Sequence, residues 1–298
     1  MSVNYVELRA RSAFSFLEGA ALPEDLVGRA VDLGYDAIAL GDRDGLYGAP
    51  RFYGAAVKAG IKGLVGAELT LADDSRLYVL VPDRERYRNL CRLITASKLR
   101  VLGRHKDGSL KYPAKGESRI EVEDLERFGE GLICLAGGAY SPLSRMLMRG
   151  DDPVALGERL RSIFGDGNFY IDLQRHLDPN EERLNRKLAA LAQSMRLPIV
   201  ASNDVCHSGA ERALLDVLTC IRRKTTLDAG GRSLWINNER HLKSHAEMAA
   251  LFSDLPHAIA RTREIADRCQ FTLQALGYPG SEWGFSMHCL LTYLLSMS

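Results

Sequence analysis

Arginine stands at positions 9 and 11, just past the strand candidate Tyr5–Leu8. Groups able to bind a metal or move a proton gather at the ends of later apolar runs. Asp42 and Asp44 flank Arg43, Glu68 lies near the end of Leu64–Leu69, His176 follows Phe169–Leu173, and Asn203 to His207 follow Ile199–Ala201. Carboxylate, neutral imidazole and thiolate can each ligate a divalent metal, and carboxylate and imidazole can also carry a proton. Arginine can do neither, because its guanidinium is permanently cationic and offers only donors. A polar residue at a strand end is ordinarily a solvated cap. Five such clusters in succession make a shared pocket the better reading, since parallel barrels carry their sites at those ends.

The elements needed to bring these residues together recur along the first two hundred positions. Strand candidates are Tyr5–Leu8, Ala37–Leu40, Leu64–Leu69, Leu77–Val81, Leu132–Leu135, Phe169–Leu173 and Ile199–Ala201. Between them lie stretches with helical periodicity, such as Leu22–Leu33, with Pro23 in its first turn and Gly34 just after its end. Arg84–Ser97 and Pro179–Met195 read alike. Strand–helix alternation implies parallel strands with crossover helices, and seven repeats fit a near-complete α/β barrel, with a doubly wound open sheet as the alternative. From Ala210 onward the pattern is helical, at Ala213–Arg222, Ala246–Phe252 and Leu255–Cys269.

The composition is that of an ordinary globular chain: 298 residues, 46% hydrophobic and 26% charged. A net charge of +1 decides nothing about nucleic acid, because a basic patch can sit inside a neutral total. The six cysteines show no paired metal-ligand spacing and read as buried thiols of a reducing cytoplasm. No signal-peptide pattern opens the chain, and Cys289–Leu295 is far shorter than the ~20 residues of a membrane helix.

Several motifs, in order, resemble the PHP (polymerase and histidinol phosphatase) domain of bacterial C-family DNA polymerases over roughly residues 3–275. Glu7–Gly19 (ELRARSAFSFLEG) is similar to the family's opening, which carries His-X-His-Ser, and its phrasing is closest to the error-prone branch. Gly41–Gly48 (GDRDGLYG) resembles Thr-Asp-His-Asp-Gly-Leu-Tyr-Gly, with Arg43 in place of histidine. Gly60–Glu68, Tyr87–Ile94, Leu173–His176 and Val200–Val205 match further family segments. The resemblance implies a distorted (β/α)7 barrel over 1–210. A helical extension over 211–275 leads toward a polymerase palm, and 276–298 is an atypical tail without polymerase-like sequence.

In the intact family site up to three metals polarise a phosphoryl oxygen and activate water for phosphoester hydrolysis. Carried over residue by residue, that site is degenerate here. Arg9, Arg11, Arg43 and Arg76 stand at histidine positions, Gly138 stands near a cysteine or histidine, and the final Asp-X-His reads Asp204-Val205-Cys206. Glu18, Glu68, His176 and Asp204 remain able to ligate, and Cys206 could do so only as thiolate. The expectation is no resident cofactor, or at most one weakly bound zinc or manganese; magnesium would serve the palm, which is absent here.

Three functions follow from the resemblance. The first is a metal-free scaffold of an error-prone-type polymerase, in which Glu18, Asp42, Asp44, Glu68 and Asp204 pair with the arginines. The second is a phosphoesterase or 3′–5′ exonuclease with a reduced metal site. The third is an arginine-lined phosphate or DNA site built on Arg9, Arg11 and Arg43. The partners implied are the palm and thumb of the parent polymerase, with DNA reached through it, and no membrane. Arg100–Arg119, with six Lys or Arg against two acids, reads as a solvated insertion or as a contact with the DNA backbone. His105, His241 and His257 read as surface or packing residues, and Trp235 and Trp283 lack the surroundings of a base-stacking platform. The tail reads as a shifted frame or non-native end, with an amphipathic docking helix as the alternative.

Overall fold

The computed structural model describes residues 4–104, 107–114, 116–209, 212–231 and 234–276; His105, Trp283 and the tail readings lie outside them. The first half runs β1 (Glu7–Ala10), α1 (Pro23–Asp32), β2 (Ala37–Arg43), α2 (Ala49–Ala59), β3 (Lys62–Thr70), β4 (Arg76–Leu80) and α3 (Arg84–Lys98). A small hairpin of β5 (Gly103–Arg104) and β6 (Leu110–Lys111) precedes α4 (Val122–Phe128), β7 (Ile133–Gly137), α5 (Pro142–Arg149) and α6 (Val154–Phe164). The chain continues through β8 (Phe169–Gln174), α7 (Pro179–Met195), β9 (Ile199–Ser202), α8 (Arg212–Arg223) and α9 (Leu227–Gly230). It then forms α10 (His245–Leu251) and α11 (Pro256–Arg268).

Seven strands form one sheet in the order β1-β2-β3-β4-β7-β8-β9. Its two edges meet: Arg11 N donates to Val205 O at 2.9 Å and Val205 N to Arg9 O at 2.9 Å, joining β1 to the chain just past β9. The result is a nearly closed barrel ringed by helices. Among the described residues, the strands of this sheet are parallel except β4, which runs antiparallel to both β3 and β7. Here the structure departs from the all-parallel expectation. Only the turn Leu71–Ser75, closed by Leu71 N donating to Ser75 O, connects β3 to β4. A crossover to a parallel neighbour needs a dozen or more residues.

Alternation along the strands sorts two apolar layers. Ile38, Leu40, Val65, Ala67 and Val79 pack outward against Leu26, Val27 and Ala30 of α1 and Phe52 and Ala56 of α2. Val6, Leu8, Ala37, Ala39, Leu64, Tyr78, Leu80, Ile133, Leu135 and Val200 form the inner layer. The inner layer is completed by Ile265 and Ala266 of α11 and by Cys269 just beyond it, so the last long helix plugs the barrel. α8 lies at the other mouth, where Leu215 packs with Ala20 and Cys206.

Candidate functional site

Strict alternation would turn Arg9 away from the barrel interior that Leu8 occupies. The register of β1 against β2 shifts between Glu7 and Ala10, and such a bulge re-aims a side chain. Arg9 therefore lies inward, 3% exposed, with its guanidinium 5.3 Å from the centre of the Tyr78 ring. Its NH2 donates to Glu68 Oε1 at 2.8 Å and its NH1 to Asp172 Oδ2 at 2.9 Å. Nε lies 3.1 Å from Asp204 Oδ1 without hydrogen-bond geometry. One arginine thus joins carboxylates from β3, β8 and the loop after β9.

The neighbouring cations extend this cluster. Arg11 donates to Asp204 and lies 3.4 Å from Glu68 Oε2 and 3.5 Å from Glu18 Oε2. Arg76, at the start of β4, donates to Glu18 Oε2 at 3.0 Å and to Glu68 Oε2 at 3.1 Å while stacking on Tyr140. Glu18 also accepts from Arg43 at 2.7 Å and from Arg222 of α8 at 2.7 Å. Arg240 caps the far side, donating to Asp204 and stacking on Trp235 at 4.0 Å.

The charges keep one another ionised. Burial raises the Glu18 carboxyl, but Arg76, Arg11 and Arg43 outweigh it and bring the group down to about 2. Glu68 and Asp204 are likewise held below the usual carboxylate range, burial being overcome by Arg11 and Arg9 in both. Glu7, the buried acid of β1, behaves oppositely. It accepts from Tyr5 OH, Arg9 N and Asn203 N, none of them charged, and burial pushes it up to about 8.

Other residues of interest lie apart from the arginines. Asp42 accepts from Ser12 N at 2.8 Å, from the Ser12 and Ser15 hydroxyls, and from Gly48 N, so it fixes the loop after β1. Asp44 accepts from Thr70 N and Oγ1, and Arg43 Nε approaches it only to 3.4 Å. His176 is held on both sides, Nδ1 2.7 Å from Glu181 Oε1 and Nε2 2.7 Å from Asn203 O. Gly138 has φ +68 and carries no ligating group; a Cβ there would meet the Gln174 amide at 2.8 Å. Cys206 Sγ donates to Asp204 O at 3.3 Å, and burial pushes the thiol up to about 11, which keeps it protonated at neutral pH.

Three members of the cluster escaped the sequence: Asp172, Arg222 and Arg240. Asp172 had a signal, a lone charge within the otherwise apolar or neutral β8, FYIDLQ. Arg222 and Arg240 had none, since they enter the mouth from beyond the barrel.

The donor set does not fit a cluster of catalytic metals. Among the described residues no group of three or more His, Cys, Asp or Glu is arranged to hold a metal ion. The carboxylate oxygens face guanidinium nitrogens instead, and fixed positive charges repel a divalent cation strongly in a poorly screened pocket. The cavity left among Arg11, Glu18, Arg76, Tyr140, Asp204 and Trp235 is about 10 Å³, roughly the space of one water.

The sequence profile of the PHP domain matches residues 7–176, the stretch that builds most of this nearly closed barrel. The chain belongs to the PHP domain family. Among curated proteins it is 40% identical over 280 residues to an error-prone DNA polymerase of Anaeromyxobacter sp. (strain K), covering 91% of this chain and 23% of that protein. Error-prone DNA polymerase 1 of Agrobacterium fabrum is 36% identical over 276 residues, again with 23% of its length covered. The chain thus spans about a quarter of the curated relatives it matches. Among solved structures an amidohydrolase from Chromobacterium violaceum aligns at TM-score 0.47 and 15% identity, covering 69% of this chain and 88% of that one.

Proposed function

We propose that the chain is the PHP domain of an error-prone-type DNA polymerase and serves as a scaffold whose arginines stand in for metal ions. Arg9 carries this reading: one guanidinium lies between Glu68, Asp172 and Asp204, carboxylates from separate strands and loops that a metal would otherwise have to hold together. On this reading Arg9, Arg11, Arg43 and Arg76 occupy former ligand positions, and Gly138 and Cys206 are lost ligands. Glu18, Glu68 and Asp204 remain as anionic partners, with His176 retained as a packing and hydrogen-bonding residue.

The barrel of residues 1–210 would brace the palm and thumb of the parent polymerase, with 211–275 leading toward the palm. Nucleotide addition with magnesium would be the palm's chemistry, and DNA the shared partner. A cytoplasmic site of action goes with the polymerase reading. Among the described residues no helix is long and apolar enough to cross a membrane. Pairing of Arg9 and Arg11 with carboxylates disfavours a phosphate site at the barrel centre. Metal analysis of the purified chain, run beside a phosphodiesterase assay, tests the reading. Metal well below stoichiometry and no hydrolysis are expected; stoichiometric zinc or manganese with chelator-sensitive hydrolysis would refute it.

A further inference from the structure

Positive charge is distributed unevenly along this chain. Residues 84–119 hold eleven Lys or Arg against three Asp or Glu, a surplus of eight in a chain of net +1. Arg84, Arg88 and Arg92 lie four residues apart on α3, advancing about 6 Å at each step. That spacing sets them on the face opposite the buried Leu90, Leu93 and Ser97, and all three are exposed.

Like charges four residues apart on a helix repel, so this stripe weakens α3 rather than supporting it. The only acid in the first turn, Glu85, pairs with Arg86 instead. Among the described residues none of Arg84, Arg88 and Arg92 has a carboxylate within 4.0 Å, and Arg92 stacks on Phe128 at 5.9 Å. Lys98 ends the helix against Tyr47, and the β5–β6 hairpin adds exposed Arg104 and Lys111, which likewise lack a carboxylate partner among the described residues. Arg100 binds Asp124 and so ties the start of the hairpin segment to α4.

We infer that α3 and the β5–β6 hairpin form a binding surface for the phosphate backbone of duplex DNA, with Arg84, Arg88, Arg92, Lys98, Arg104 and Lys111 as its cations. The choice of DNA rests on the polymerase reading above; the surface itself rests on unpaired charge. It is separate from the barrel mouth, whose arginines are consumed by carboxylates. Contacts of this kind read no sequence and act through release of counterions, so binding weakens steeply with salt.

The 298-residue chain is titrated against a fluorescein-labelled 30-bp duplex by anisotropy between 50 and 200 mM NaCl. Six phosphate contacts predict a slope of log K on log salt of about −5. The variant R84A/R88A/R92A/R104A/K111A should bind at least about tenfold more weakly at 100 mM, with a slope shallower by about 4. The matching variant with lysine at the three α3 arginines should keep most of the affinity, because the contact needs charge and not the guanidinium shape. The five altered side chains are exposed and three of them repel one another on α3, so the alanine variant should melt no lower than the parent, and a binding loss without a lower melt reports the surface alone. Equal binding by parent and alanine variant would overturn the inference. So would failure of the parent to bind at 50 mM, or binding to vesicles of 30% anionic phospholipid without binding to duplex. Metal content is read separately, so stoichiometric zinc would refute the scaffold reading and leave this surface standing.

Discussion

Arginine at position 9 is informative because of what it leaves behind if removed. Arg9→Met would take a guanidinium donor from each of Glu68 and Asp172, both buried, and leave Asp172 with only the neutral donors Gln174 and Ser202. Breaking a buried pair on one side costs about 3–5 kcal/mol, whereas replacing whole pairs with apolar groups costs little. Denaturant unfolding should therefore show Arg9→Met far less stable than Arg43→Met, whose side chain is 26% exposed at the rim. The same groups set the response to pH. Glu18, Glu68 and Asp204 titrate lower folded than unfolded, so their contribution is full above about pH 4.5 and is lost as pH falls, that of Glu18 through about 2. Glu7 has the opposite sign: with its folded value near 8, stability falls as pH rises from about 4.5 through 8. Thermal melts across this range should show that decline in the parent and a flatter profile in Glu7→Gln. An equally steep decline in the variant would place the effect elsewhere.

At the scale of the strands, the chain's own pattern told much of this fold. All seven strand candidates correspond to strands of the main sheet within about three residues, because each is an apolar run flanked by turn or helix signals. The direction of β4 was not readable from its residues; it is fixed by the length of the turn before it. The bulge in β1 was equally hidden, since it depends on pairing with β2, yet it decides where Arg9 points. Asp42 shows the limit from the other side. Its position suggested an arginine partner, but the serines at 12 and 15 reach it first, and sequence spacing carries no record of that competition. Strand approach also makes a prediction at Gly137. A Cβ there would sit 1.7 Å from the Asp172 carbonyl oxygen, so β7 or β8 must move. Gly137→Ala should lose roughly 3 kcal/mol in denaturant melts; a loss under about 1 kcal/mol would show that the strands can part freely.

Across the whole molecule, the part beyond the barrel is tied to it at both mouths. α11 completes the inner apolar layer at one, and Arg222 and Arg240 complete the charge cluster at the other. A chain ending at residue 255 would uncover Val6, Leu8, Leu64 and Val200 and should lose its cooperative melt by circular dichroism; retention of that melt would show the barrel to be self-sufficient. Arg222 and Arg240 were unreadable as site residues because long-range closure, not local pattern, brings them to Glu18 and Asp204. On the scaffold reading proposed above, a cluster assembled from so many elements takes the role that a bound metal otherwise plays. Thermal unfolding of the purified chain, after chelation and again with added zinc or manganese, tests that substitution most directly. The account predicts one melting temperature in all three conditions, and a clear fall on chelation that either metal restores would contradict it.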